Sequence, residues 1–333
     1  MTPSAPAPPT PAADAPLVLV GALHVDELVW PEDALVARAS NPVRRTQRPG
    51  GVGANVARAA ARTGALPVAL VAATGDDDDA RRLVASLAEA GVDCRAVAVP
   101  GRPSGRYTAV HDADGELFVG LADTGLAETL DAATVRTRLD DIDPLALVVD
   151  TNLSGGCIDD LLAADAARAV GANGRRVPRV ALAVSPAKAA RLATTARSID
   201  LLFCNRREAA ALGARATDAP LERHADALLA AGFARFVLSD GAAPLLVQTP
   251  AARTAVTVPP LPRARSVNGA GDALAGATLG RWLAPKRAAG EPVRVVEPLD
   301  DATLADAVRT AGLPAAAAAL GLSGATKGAT EAP

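Results

Sequence analysis

RPGGVGANVARAAARTGALPVALVAATG, residues 48–75, carries the pattern on which the architecture turns. After the Gly50-Gly51 pair, the Ala and Val spacing of Val52 to Thr63 predicts a helix that Gly64 ends. Val68 to Ala72 is then a continuous β-prone apolar run, as expected of a strand buried on both faces. Leu17 to Val20 is a similar run upstream, stopping at Gly21, and Arg81 to Ala90 reads as a further helix stopped by Gly91. Strand, helix, strand, helix predicts an α/β fold with a mostly parallel sheet covered on both faces. The alternation resumes with short strands at Ala146 to Val149, Val180 to Val184, Leu201 to Phe203 and Phe236 to Leu238. Candidate helices include Arg207 to Leu212 and Leu221 to Ala231. A long small-residue helix follows over Asp272 to Leu283, Pro285 to Pro298 reads as a surface loop, and Asp301 to Leu320 closes the chain as a helix or helix pair.

One segment breaks the rhythm. Arg106 to Val110 and Glu116 to Gly120 flank Asp112-Ala113-Asp114-Gly115, a β-hairpin with Asp-Gly at its turn. Set into an α/β chain, it stands apart from the main sheet, either as an edge hairpin or as a lid.

The 333 residues suit one large domain. Half of them are hydrophobic but only 2% are aromatic, so the core is built from Ala, Val and Leu. A formal charge of -3 gives no reason to expect a nucleic-acid partner, and no apolar run reaches the ~20 residues that span a bilayer. Cys94, Cys157 and Cys204 are widely spaced and odd in number; they read as small buried hydrophobes in a reducing, cytoplasmic protein. Met1 to Pro16 is a Pro/Ala-rich leader without signal-peptide character, and residues 321–333 read as a flexible tail. His111 and His224 are expected at the surface, and Asp76 to Asp79 as a solvated loop rather than a metal site.

Two glycine turns carry the chemistry. In Asn268-Gly269-Ala270-Gly271-Asp272, small residues before a helix let backbone N–H groups converge on an anion, and the helix N-terminus favours it. Asp272 is either an N-cap or a carboxylate beside bound phosphate. Phosphoryl transfer to an alcohol needs donors for the transferring group and a carboxylate to take the hydroxyl proton. In the earlier turn, Gly50 and Gly51 permit close backbone approach, and Asn55, one turn into the helix, could bond a ligand hydroxyl. A dinucleotide site is disfavoured because the spacing is GGxG, not GxGxxG, and follows no clear strand.

Together the two turns resemble the paired signatures of the PfkB family, the ribokinase-like sugar and nucleoside kinases, with agreement in order and spacing from about Leu17 to Leu320. The resemblance implies a three-layer α/β/α kinase domain over residues 17–320, with ATP and Mg²⁺ as cofactors. It makes Asp272 the catalytic base and Asn268 to Gly271 the anion hole. Gly21-Ala22-Leu23-His24-Val25-Asp26 looks like the first-strand substrate motif whose aspartate binds acceptor hydroxyls, with His24 where Asn is usual. Gly50, Gly51 and Asn55 complete the substrate site, and Asn152 falls where ribokinases place an acidic ligand. Asn205-Arg206-Arg207-Glu208 resembles the Asn-x-x-Glu element, whose Asn205 and Glu208 hold magnesium through water. Ser239-Asp240-Gly241 stands at the nucleotide turn. A monovalent cation, which some members use, is a further cofactor the resemblance allows, but Ser266-Val267 stands where many relatives have Asp-Thr and weakens that expectation.

Within the family, Asn41-Pro42-Val43 and Ser104-Gly105-Arg106-Tyr107 with Asp112 to Leu117 look most like pseudouridine kinases. The hairpin, about 104–123, then becomes the lid over the sugar, and such lids often pair into homodimers. A ribokinase- or fructokinase-like sugar kinase is the alternative. A non-catalytic nucleoside sensor is the reading from another class, but a sensor needs no base, and Asp272 with its Gly-Ala-Gly turn is intact.

Overall fold

The computed structural model describes residues 15–114, 116–163, 177–213, 215–259, 269–284 and 301–320. Seven parallel strands form the body of a nine-stranded sheet. They are β1 (Leu17–Val20), β4 (Val68–Thr74), β5 (Val92–Ala98), β8 (Ala146–Asp150), β9 (Arg179–Leu182), β10 (Leu201–Asn205) and β11 (Phe236–Ser239). An antiparallel ribbon, β12 (Leu245–Gln248) and β13 (Arg253–Val256), completes the order β13-β12-β11-β10-β9-β8-β1-β4-β5. β1 pairs with β4 on one side and β8 on the other. Chain progression reverses between β1 and β8, the kind of crevice where open α/β sheets bind ligands.

Alternate residues of β1 feed two cores. Leu17 and Leu19 join one; Val18 and Val20 join the other. On the first face lie α1 (Val52–Ala61), α2 (Asp78–Glu89), α8 (Ala270–Trp282) and the closing segment. That segment comprises α9 (Asp301–Ala307), a π turn at Val308–Gly312 and α10 (Leu313–Ala319). The second face carries α3 (Ala132–Arg138), α4 (Gly155–Leu162), α6 (Arg206–Leu212) and α7 (Leu221–Ala231), with the short α5 (Pro186–Ala189) at its border. The architecture is the expected three-layer α/β/α, with cores of Ala, Val and Leu. α8 lies close against α1: a Cβ on Gly276 would sit 2.3 Å from the carbonyl oxygen of Val56.

The segment expected to be a lid hairpin is part of a larger sheet, called the lid sheet below. β2 (His24–Pro31) and β3 (Val43–Gly50) join β6 (Arg106–His111) and β7 (Leu117–Asp123) in a separate sheet of order β3-β2-β6-β7. β2 runs parallel to β6 and antiparallel to β3. Asp26 therefore sits on a lid strand rather than the first body strand, and the Gly50-Gly51 turn does follow a strand. Asp112 caps the hairpin turn, accepting from the amides of Asp114 and Glu116.

Other expectations are corrected. His111 is buried and stacks on Trp30 with ring centroids 3.7 Å apart; His224 is fully buried on α7. The aspartate run is solvated only in part: Asp76 and Asp78 are exposed, whereas Asp77 and Asp79 have structural roles. Asp77 caps α2 and accepts from the Ser104 amide and hydroxyl, while Asp79 pairs with Arg82 and with Arg106 of the lid, the latter at 2.8 Å. Cys157 and Cys204 are buried, Cys94 is partly buried, and all three are free. Among the described residues no helix is long and apolar enough to cross a membrane. The leader before Ala15, the 285–298 loop, Asn268, Ser266-Val267 and the tail lie outside the described residues.

Candidate active site

The site assembles where the two glycine turns meet. Gly51 opens α1 at φ +98°, and a side chain there would strike the Ala22 carbonyl, so the turn packs directly on the chain leaving β1. α1 then presents Asn55. Gly269, at φ +85°, opens α8, and Asp272 stands in its first turn. Asn55 Nδ2 donates to Asp272 Oδ2 at 2.8 Å across 217 residues of sequence. Arg58 Nη2 donates to Asn55 Oδ1 and, at 2.8 Å, to the carbonyl of Pro49. A guanidinium has no acceptor, so Arg58 fixes which end of the Asn55 amide faces Asp272.

Asp150 ties this arrangement to the switch point. Its fully buried carboxylate accepts three backbone N–H bonds: Oδ2 from Ala22 at 2.8 Å and Gly53 at 2.9 Å, and Oδ1 from Asn152 at 2.8 Å. One side chain thus joins the ends of β1 and β8 to the start of α1. A Cβ on Gly21 would fall 2.2 Å from Asp150 Oδ2, so the carboxylate fits only beside glycine. Burial raises the Asp150 pKa, while its three amide donors oppose the rise.

On the lid side, Asp26 Oδ1 lies 3.2 Å from His24 Nδ1 and its Oδ2 lies 3.4 Å from Arg48 Nε. Asp26 fits against Gly50, where a Cβ would sit 2.0 Å from its Oδ1. On the body side, Asn205 caps α6 in a reciprocal box: its Oδ1 accepts from the Glu208 amide at 3.0 Å, and Glu208 Oε2 accepts from the Asn205 amide at 2.8 Å. Arg206, between them, forms an ion pair with Asp240 and so links this turn to the end of β11.

Two cavities flank the Asn55–Asp272 pair. One, of about 310 Å³, brings together Asn205, Glu208, Ser239, Gly269, Gly271 and Asp272. The other, of about 270 Å³, is bordered by Asp26, Asn55 and Gly269. Most residues singled out from sequence meet here. His24, Gly50, Gly51, Ala270, Asn152 and Gly241 line neither cavity: the Asn152 amide oxygen accepts from Lys188 Nζ at 2.8 Å, and Gly241 occupies the turn after β11 at φ +60°. Asp150, Arg58, Arg48 and Lys188 were not singled out. Only Asp150 left a trace in sequence, a carboxylate closing the otherwise apolar run Ala146 to Val149.

The electrostatics suit proton and phosphate chemistry. Asp272 sits in a recess surrounded by protein, which raises its pKa to about 6. The Asn55 bond opposes the rise, and the charges of Asp150 and Asp26 add to it. Burial pushes Glu208 up to about 7 against the two bonds of its capping box, with the Asp272 charge adding to the rise. Glu208 Oε1 has no hydrogen-bond partner among the described residues. No cluster of three His, Cys, Asp or Glu forms among those residues. A hard cation here would be held by Glu208 and Asn205 largely through water and phosphate oxygens, as Mg²⁺ favours.

Comparison with known proteins places the chain in a family. Residues 17–332 match the pfkB family carbohydrate kinases. The chain is 26% identical over 274 residues to the pseudouridine kinase of Escherichia coli (strain K12), covering 80% of this chain and 83% of that one. A carbohydrate kinase structure from Agrobacterium tumefaciens is 27% identical, with a TM-score of 0.68 over 92% of this chain and 97% of the other. Ribokinase from Giardia lamblia shares the fold at a TM-score of 0.74 and 18% identity, covering 91% and 92% of the two chains. Kinases of this kind generally use ATP and Mg²⁺. The chain belongs to the pfkB family of carbohydrate kinases, and it is a phosphotransferase acting on a hydroxyl of a sugar or nucleoside.

Proposed function

We propose that the protein transfers the γ-phosphate of ATP to the 5′-hydroxyl of pseudouridine, with Asp272 as general base. The reading rests on one observation above all: the bond between Asn55 and Asp272, which sets a carboxylate of raised pKa between the two cavities. Asn55 occupies one carboxylate oxygen and leaves the other for the acceptor hydroxyl. Asp26, Gly50, Gly51 and Asn55 hold the acceptor beneath the lid, with His24 supporting Asp26. ATP lies along the cavity of Asn205 and Ser239, its γ-phosphate on the amides of Asn268 to Gly271, where the start of α8 favours negative charge.

Asp272 takes the hydroxyl proton as the oxygen attacks phosphorus, so the new O–P bond forms while the bond to the leaving ADP breaks. Glu208 and Asn205 would hold Mg²⁺ through water, and the bound ion would supply positive charge to the phosphates. Closure of the β3-β2-β6-β7 sheet over the acceptor would exclude water and limit ATP hydrolysis. Pseudouridine is supported by the 26% identity to the Escherichia coli enzyme and by the Ser104 to Tyr107 segment at the lid. Leu117, Phe118 and Leu121 are exposed on β7, and this apolar edge favours pairing with a second copy through the lid, which sedimentation would detect. ADP release measured across pseudouridine, uridine, adenosine, ribose and fructose tests the reading. Pseudouridine is expected to give the highest kcat/KM, and turnover confined to ribose or fructose would replace it with a sugar kinase.

A further inference from the structure

Glu27 follows Asp26 on β2, and strand alternation turns its side chain to the opposite face of the lid sheet. It is buried there and joins three strands. Its Oε1 accepts from Gln47 Nε2 on β3 at 3.0 Å, and its Oε2 accepts from Thr108 Oγ1 on β6 at 3.4 Å. Arg106, at the start of β6, reaches the same Oε1 with Nη1 at 3.4 Å. Its Nη2 donates at 2.8 Å to Asp79 Oδ2 in the first turn of α2. One guanidinium thus spans a lid carboxylate and a body carboxylate, whose side chains are only 11% and 13% exposed. A planar fork of five donors suits such a bridge; a lysine offers a point charge without it.

Polar links hold the lid at this junction. A cavity of about 560 Å³ opens between lid and body here, bordered by Asp77, Asp79, Ser104, Arg106, Thr108 and Asp123, so the two do not rest on close packing. The chain enters β6 through Ser104, whose amide and hydroxyl donate to Asp77 at 2.8 and 2.6 Å and whose Oγ accepts from the Gly75 amide at 3.1 Å. Ser104 is therefore tied to the body, and Arg106, two residues on, ties the lid strands to it.

We propose that Arg106 is a positioning residue for the acceptor: by joining Glu27 to Asp79 it sets where Asp26, the neighbour of Glu27 on β2, stands over the acceptor cavity. The effect on the acceptor rests on the kinase reading; the mechanical bridge does not. Removing the cation leaves each of two largely buried carboxylates with one partner fewer, and the strand that bears Asp26 loses its tie to α2.

The full chain and Arg106→Gln are compared by hydrogen exchange and steady-state kinetics. Amides of β2 and β6 should exchange about fivefold faster in the variant, while those of β1 and β8 keep their rates. Acceptor KM should rise about tenfold, as for loss of one charge-assisted contact, with kcat and the affinity for a non-hydrolysable ATP analogue little changed. Arg106→Lys, with charge but no fork, should recover part of the KM. Asp79→Asn breaks the bridge from the body side and is the second variant, with the same expected direction. In an Asp26→Asn background, Arg106→Gln should add less than about twofold to KM, whereas independent contributions would multiply to about a hundredfold.

An acceptor KM within about twofold of the parent in both Arg106→Gln and Asp79→Asn, or full multiplication with Asp26→Asn, would overturn the positioning role. Equal losses of ATP affinity and of protection in the body strands would also overturn it, by making Arg106 a residue of the fold alone. Turnover by the parent alongside those results leaves the kinase reading standing. A parent that phosphorylates no acceptor sinks that reading instead, and lid exchange unchanged in both variants would then remove the bridge as well.

Discussion

The body sheet and the lid sheet position their functional groups by different means. Body strands such as β1 and β4 are buried along their whole length, whereas β7 is exposed throughout and β3 over its first six residues. Body groups are held by short, directed hydrogen bonds: Asp150 by three amides, Asp272 by Asn55, Glu208 by its capping box. The lid's Asp26 instead has polar contacts at 3.2 and 3.4 Å with His24 and Arg48. The lid is latched to the body through Arg106, paired with Asp79. The difference teaches a division of labour. In the proposed mechanism the bond-making groups sit on the sheet that is buried on both faces, and acceptor recognition on the more exposed one.

The largest effect should come from the body. Asp272→Asn is expected to lower kcat by about 10²- to 10⁴-fold, while the affinity for ATP, measured by calorimetry, stays near that of the parent. Near-normal turnover would remove Asp272 as the base. Its stability effect has a defined sign. A carboxyl whose folded pKa is raised from 3.8 to about 6 binds its proton more tightly in the folded chain. Its contribution is therefore favourable at low pH and is lost as pH rises from about 4 through 6. Relative to the parent, Asp272→Asn should gain in melting temperature as pH rises across that window, and a constant difference would contradict the shift.

Next in size is Asp150→Asn. The amide can no longer accept from all three N–H donors, and a buried unsatisfied group costs about 1–3 kcal/mol. Both a lower melting temperature and a higher acceptor KM are expected, with ATP affinity little changed because Asp150 joins the acceptor-side segments. Equal loss of both affinities would make it merely a fold residue. Asp26→Asn sharpens the contrast from the lid: acceptor KM should rise about tenfold by loss of a charged hydrogen bond, with melting temperature unmoved. Glu208→Gln should raise the Mg²⁺ concentration for half-maximal rate several-fold, a smaller effect since the contact runs through water.

The same contrast explains what could be read from sequence. Body strands announced themselves because burial on both faces demands unbroken apolar runs, as in Val68 to Ala72. β3, with the sequence VRRTQRPG, is stabilised by pairing with β2 rather than by burial, so it left no hydrophobic period. β2 was legible only as a motif. The glycine turns and Asp272 could be found because their chemistry is local. Asp150 acts on amides 97 and 128 residues away, and Arg58 acts through the orientation of another side chain; neither relation is written in spacing. His224 shows the opposite failure: a polar residue type on a mixed helix face gave no sign that packing against α6 and β12 would enclose it.

The pH dependence of kcat in the parent and in Asn55→Ala tests whether the two turns truly meet at the reacting carboxylate. The Asn55 bond favours the charged form of Asp272, so removing it should move an acid limb near 6 to higher pH. A limb that stays in place, or a rate indifferent to pH between 5 and 8, would contradict the account.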